Sequence, residues 1–198
     1  TGSLLIRFDS QRELDELALG VLLLDIGKTK LPSRLLEKKG KLKPAEVKLI
    51  KAHVQLGVNI LKNDTELPKD VVDLVAQHHE RFDGRGYPFG KEGKQISVYG
   101  RIAAIIDFFD AVTHDRPYRR KIKPATAVNA LYARRGTHFQ PELVEEFIQC
   151  LGLYPTGSVV ELSSGEVGIV LEQNRLRRLR PKVLVVLAED KQELGTPY

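Results

Sequence analysis

The sequence predicts a mainly α fold: a helical bundle over residues 1–152, followed by a small three-stranded β segment over 153–198. Three observations predict it. Apolar residues recur at helical spacing from Leu14 to Leu151, and proline and glycine punctuate those runs at their starts and ends. From Ser158 the apolar period shortens to that of a strand, in a stretch rich in valine and isoleucine.

A chain of 198 residues with 42% hydrophobic side chains is long enough to bury a core. No run approaches the roughly 20 apolar residues of a membrane span, and residues 1–7 lack a signal-peptide pattern, so the expected location is the cytoplasm. The single cysteine, Cys150, has no internal disulfide partner; it reads as helix filler and leaves metal binding to His and Asp. A net charge of +5 and a pI near 9.3 point to an anionic partner, nucleic acid or a phosphorylated small molecule. Charge alone does not choose between them, and most charged residues are mixed in sign, as on a solvated surface.

Ser10 and Glu13 form a capping-box pattern, and Leu14, Leu17, Ala18, Val21 and Leu22 then define a first amphipathic helix ending near Leu24 and Asp25, closed by Gly27. Residues 28–32 form a loop, and a short helix over 33–38 stops at Gly40. Pro44 opens a helix with Val47, Ile50, Val54, Gly57 and Leu61 along one stripe, which sets His53 beside the core. Pro68 opens the next, whose buried face is Val71, Val72 and Val75. By spacing, His78 and His79 both flank that face, so the two rings reach inward together.

A loop with glycines and a proline follows, and an apolar helix begins at Ser97 or Val98. It carries Asp107 on its small-residue side with Ala103, Ala104 and Ala111, where a carboxylate needs a partner. Residues 115–120 read as a basic turn, and Pro124 and Pro141 each start a further helix. Residues 158–162 and 166–171 read as a hairpin around Ser164 and Gly165, with a third strand over 182–187. The basic run of Arg175, Arg177, Arg178 and Arg180 has no interleaved aromatics. It reads as a solvated strand face, so nucleic acid is not the expected partner.

Taken singly, His53 reads as a hydrogen-bonded core histidine and Asp25 as a helix cap. The adjacent pair His78 and His79, leading into Asp-Gly-Arg-Gly-Tyr-Pro over 83–88, shifts that balance, because polar groups so near a core face cost stability without partners. Asp25, His53, His78 and His79 offer the nitrogen and oxygen ligands that divalent iron, manganese or zinc accepts. An ion so held polarises a phosphoryl oxygen and acidifies a bound water, with Lys28, Arg116 and Arg119 to meet the phosphate charge. His114 and His138 lie in turn-like segments and receive no role.

These residues resemble the HD-GYP family. The resemblance rests on Leu24-Asp25-Ile-Gly-Lys28, Lys51-Ala-His53, His78 to Pro88, Asp107-Phe-Phe-Asp-Ala and Asp115-Arg-Pro-Tyr-Arg119, in that order between Leu14 and Leu151. It implies an HD-type helical bundle and metal-dependent hydrolysis of cyclic di-GMP to pGpG or GMP, with iron or manganese as cofactor. It also implies Asp25 as bridging carboxylate, His53, His78 and His79 on one ion, and Asp107 on a neighbouring ion. Lys28 would act at the reacting phosphate, Arg116 and Arg119 would hold substrate phosphates, and Gly86, Tyr87 and Pro88 would shape the pocket. The pattern departs at Leu24, where the family's doublet has histidine, at Gln140, where aspartate is common, and upstream, where residues 1–12 contain no histidine. One well-formed metal site is therefore expected. The alternative is a degenerate domain that binds cyclic di-GMP, or a signalling partner such as a diguanylate cyclase domain, without turnover.

Overall fold

The structure, a computed structural model, describes residues 10–62, 66–115, 121–151, 156–172, 174 and 180–197. Its packing divides the chain into two compact units, Thr1–Val144 and Glu145–Tyr198, and the division falls inside the last helix. Among the described residues, no helix is long and apolar enough to cross a membrane.

In the first unit, α1 (Gln11–Leu23) starts with the expected capping box. The Glu13 N–H donates to Ser10 Oγ at 3.3 Å, and the Ser10 N–H donates to the Glu13 carboxylate at 3.2 Å. A 3₁₀ turn (Ile26–Lys30) and a short α2 (Ser33–Leu36) follow. The expected single helix after Pro44 is two helices, α3 (Pro44–Lys51) and α4 (His53–Leu61), interrupted at Ala52. The interruption sets His53 at the start of α4, with its ring against the Ile50 carbonyl.

The centre of the unit is α5 (Lys69–Gln77), which packs against α1, α4 and α6 (Val98–Thr113). Its Val71, Leu74 and Val75 are fully buried, at about 2 kcal/mol of transfer free energy each. Close approach to α5 depends on missing side chains. A methyl on Gly20 of α1 would lie 2.7 Å from Leu74 Cδ1, and one on Gly100 of α6 would lie 2.8 Å from Gln77 Cβ. The start of α6 is tied to α5 by the Ser97 N–H, which donates to buried Gln77 Oε1 at 2.7 Å. α7 (Pro124–Ala133) packs on α6, and α8 (Pro141–Leu151) crosses into the second unit.

Gly27 does not terminate α1 as expected. That helix is capped by Leu24 in right-handed conformation, and Gly27 lies buried within the 3₁₀ turn. A methyl there would sit 1.9 Å from the His53 carbonyl oxygen and 2.5 Å from the Gly57 nitrogen. Glycine is needed because the turn lies directly on the backbone of α4.

The second unit holds an antiparallel sheet in the order β1 (Val159–Glu161), β2 (Val167–Glu172), β3 (Lys182–Leu187). Val160 pairs with Gly168 and Ile169 with Leu184, and Val170 and Val185 are buried. The expected strands are present. Arg175, Arg177 and Arg178 lie outside the described residues. Cys150 is exposed on α8.

Candidate metal centre and its cavity

The break before α4 and the end of α5 deliver the two most buried histidines. His53 Nδ1 lies 2.6 Å from the Ile50 carbonyl and His78 Nδ1 lies 2.8 Å from the Val75 carbonyl; both rings are 1% exposed. A carbonyl only accepts, so each Nδ1 carries the proton and donates, and each Nε2 is left with a bare lone pair. Those two Nε2 atoms face one another at 3.3 Å.

Asp25, just before the 3₁₀ turn, adds a third acceptor. Its Oδ1 lies 3.3 Å from His53 Nε2, is buried, and has no hydrogen-bond donor among the described residues. Its other oxygen accepts from the Lys28 ammonium at 2.5 Å. Two imidazole lone pairs and a carboxylate oxygen thus converge with no proton between them, an arrangement that repels itself unless a cation is shared.

A proton is not the favoured cation. Burial is the first cause of a lowered pKa at His53, at His78, which is held at about 4, and at His79. Neutral imidazole is the metal-binding form. His53, His78 and His79 each place one ring nitrogen within 4.8 Å of the others. The ring centroids of His78 and His79 are 4.0 Å apart, and those of His53 and His79 are 5.1 Å apart. His79 Nδ1 also lies 3.8 Å from Asp107 Oδ2 on α6. The donor set fits a divalent ion held by Asp25, His53, His78 and His79.

The loop after the pair is fastened in place. Tyr87 stacks on His79 with centroids 4.7 Å apart and rings tilted by 29°, and its N–H donates to the His79 carbonyl at 3.1 Å. A methyl on Gly86 would lie 2.3 Å from the Arg81 nitrogen, so the chain returns along its own backbone there. The Tyr87–Pro88 peptide is cis. Glu80, 2% exposed, accepts the N–H groups of Phe89 at 2.7 Å and Lys91 at 3.1 Å, which ties down the far side of the loop.

Together these elements enclose a cavity of about 360 Å³. His78, His79, Tyr87 and Asp107 form one part of its wall, and Lys51, Arg81, Arg85, Phe108 and His138 others. The Lys51 ammonium lies 4.6 Å from the centre of the Tyr87 ring.

Of the residues singled out in the sequence, Asp25, Lys28, His53, His78, His79, Asp107, Gly86, Tyr87 and Pro88 occupy this region or its loop. Arg116 and Arg119 lie outside the described residues. Leu24 is 7% exposed and belongs to the apolar cluster with Val58, Leu74, Val75 and Tyr99. Sequence reasoning missed Glu80, Lys51 and His138. A carboxylate directly before a two-glycine loop was a usable signal for Glu80. His138 had none, because tertiary hydrogen bonds bring it in. His114 is exposed and pairs with Asp110 at 2.9 Å.

Comparison with known proteins agrees with this geometry. Residues 7–143 match the HD domain family. The chain is 42% identical over 170 residues to a cyclic di-GMP phosphodiesterase of Pseudomonas aeruginosa, covering 86% of this chain and 41% of that protein. It is 36% identical over 141 residues to a cyclic di-GMP phosphodiesterase response regulator of Xanthomonas campestris, covering 71% and 37%. A 3'3'-cGAMP-specific phosphodiesterase of Vibrio cholerae is 38% identical over 126 residues, covering 63% and 24%. The chain thus spans less than half the length of these relatives. Among solved structures, an HDG"Y"P protein from Bdellovibrio bacteriovorus superposes with a TM-score of 0.58 at 20% identity, covering 71% of this chain and 44% of that one. The chain belongs to the HD domain family.

Proposed function

We propose that this domain is a metal-dependent phosphodiesterase that hydrolyses cyclic di-GMP to pGpG or GMP in the cytoplasm, with one well-formed site for iron or manganese. The observation that carries the reading is the convergence of His53 Nε2, His78 Nε2 and Asp25 Oδ1 without a proton among them. A divalent ion held there with His79 supplies Lewis-acid polarisation of a phosphoryl oxygen and a bound water of lowered pKa.

The chain's own residues do the rest. Lys28 holds Asp25 Oδ2 and so turns Oδ1 toward the histidines, and its ammonium would stabilise the charge that develops on the reacting phosphate. Gly86, Tyr87 and Pro88 form the wall that positions the substrate against His79, and Arg116 and Arg119 hold its phosphates. Asp107 would serve as a ligand of a neighbouring ion. The catalytic part is residues 1–152, followed by the β segment over 153–198.

A second reading, binding of cyclic di-GMP or of a signalling partner such as a diguanylate cyclase domain without turnover, is favoured by Leu24. Its side chain belongs to the apolar core, so a neighbouring ion would keep only Asp25 and Asp107.

The test is a cyclic di-GMP turnover assay on protein loaded anaerobically with iron(II) or manganese(II), separating pGpG from GMP, with His79→Ala run alongside. Turnover abolished by the substitution, together with lower metal content, supports the phosphodiesterase. Nucleotide binding without turnover supports the second reading, and absence of both sinks the phosphodiesterase and leaves the second reading only as binding of a signalling partner.

A further inference from the structure

The positive charge of the chain is concentrated in one stretch. Residues 28–51 hold nine Lys or Arg and two Glu, a net +7 in a chain whose total is +5, so the remainder carries −2. Lys28 and Lys51 border the metal centre and its cavity. The other cations lie along α2, the loop after it and α3, which pack on one another, and Lys30, Arg34, Lys39, Lys41, Lys43 and Lys48 are exposed.

Local structure leaves that charge uncompensated. Lys38 Nζ donates to both Glu46 oxygens, at 2.8 and 2.7 Å, and the Lys43 N–H donates to the same carboxylate at 2.7 Å. One of the two acids is thus occupied in bracing the loop between α2 and α3. Lys30, Arg34, Lys39, Lys41 and Lys48 make no ion pair among the described residues. Between Lys39 and Lys41, Gly40 has a φ of +101°, and a methyl on it would meet nothing within 4 Å, so the loop tip stands clear of the domain. Among these cations are three aliphatic side chains that solvent reaches, Leu42 and Val47 at 37% exposure and Leu49 at 53%.

We propose that the face formed by α2, the loop over 37–43 and α3 docks on a membrane surface of anionic phospholipid. Such a surface attracts cations as a field, by about fivefold in affinity for each Lys or Arg brought near it, and asks for no shaped donor. Lysine, a compact ammonium on a flexible stem, meets that demand, and eight of the nine cations are lysine. Leu42, Val47 and Leu49 supply apolar contact at the headgroup boundary. Nucleic acid fits less well, because residues 28–51 contain no aromatic to stack on bases and a single arginine to fork onto phosphate. No helix among the described residues can cross a membrane, so the association is with the surface. The inference stands apart from the phosphodiesterase reading.

The test is co-sedimentation of the 198-residue chain with vesicles of phosphatidylcholine, alone or with about 30% phosphatidylglycerol, in about 0.1 M and about 0.5 M sodium chloride. Binding is expected to the anionic vesicles only, and to weaken about tenfold in the higher salt. Lys39→Glu combined with Lys41→Glu is expected to weaken it by about 25-fold or more, from about fivefold for each cation lost. Lys69→Glu combined with Lys94→Glu makes the same change of charge at exposed lysines outside the stretch and is expected to leave binding within about twofold of the native chain. Unchanged melting temperatures show that both variants keep the fold. No binding to anionic vesicles, equal binding to neutral ones, or equal losses in the two variants overturns the proposal. Binding of a thymidine oligonucleotide that is tighter than binding of the vesicles and depends on Lys39 and Lys41 overturns it as well, and assigns the face to nucleic acid.

Discussion

A single methyl at Gly27 is expected to separate Asp25 and Lys28 from the histidines. The new carbon would sit 1.9 Å from the His53 carbonyl oxygen, and such carbons essentially never lie under 3.0 Å, so the turn must retreat by at least 1.1 Å. The obstacle is backbone on both sides, His53 and Gly57, and no side-chain rotation relieves it. Asp25 Oδ1, now 3.3 Å from His53 Nε2, then moves away by a similar distance. Metal–ligand bonds tolerate only about 0.2 Å, and displaced support typically weakens metal affinity by roughly 10–100-fold. Overpacking of this kind costs about 1–3 kcal/mol, or on the order of 2–12 °C in melting temperature at this chain length. Manganese(II) titration and thermal melts of Gly27→Ala test this, with Gly195→Ala, whose methyl would meet open space, as control. Wild-type metal affinity in Gly27→Ala would refute the placement of the turn on α4.

Leu24→His is expected to lower the melting temperature of metal-free protein by about 10 °C, from roughly 2 kcal/mol of lost apolar burial and about 1–3 kcal/mol for a buried imidazole without a partner. Manganese restores the loss only if the new ring turns from the core to an ion; an unchanged metal-free melt would show that Leu24 is not part of the core. Acidification gives a second expectation. His78 and His79 are neutral bases whose folded pKa values lie below the ordinary 6.5, so between those values and pH 6.5 the unfolded chain binds more protons and stability falls as pH falls. For each ring that stays neutral to pH 5 the loss is about 2 kcal/mol, and metal-free melts that do not drop between pH 6.5 and 5 would contradict it.

The helical elements were legible because their signals are local. Ser10 with Glu13, Pro44, Pro68, Pro124 and Pro141 each mark a helix start that the structure contains. The break at Ala52 was not legible, since the apolar stripe from Val47 to Leu61 runs through it without a glycine or proline at the break. Gly27 was read as a cap because capping is what glycine most often does after a helix. Its close approach to the His53 carbonyl is a tertiary fact. The same limit applies to His138, which lies 57 residues from Arg81 in sequence and reaches it only through the pairing of two turns.

The adjacent histidines work as a pair because α5 ends where it does. Neighbouring residues within a helix point about 100° apart, too far for both rings to serve one cavity from its interior. Here the helix stops at Gln77, His78 caps it, and the chain turns, with the Glu80 N–H donating to the Gln77 carbonyl at 2.9 Å. His78 keeps the helix's inward direction and a helix carbonyl as its anchor, while His79 swings to stack on Tyr87. Glu80 then fixes the returning loop through Phe89 and Lys91, so the two histidines and the support for their wall occupy three consecutive positions. This half of the centre is held by backbone carbonyls of α3 and α5 and needs nothing from Leu24. The position where the family's doublet has histidine could therefore become apolar, and join the core beneath α1, without disturbing the donors of His53 and His78.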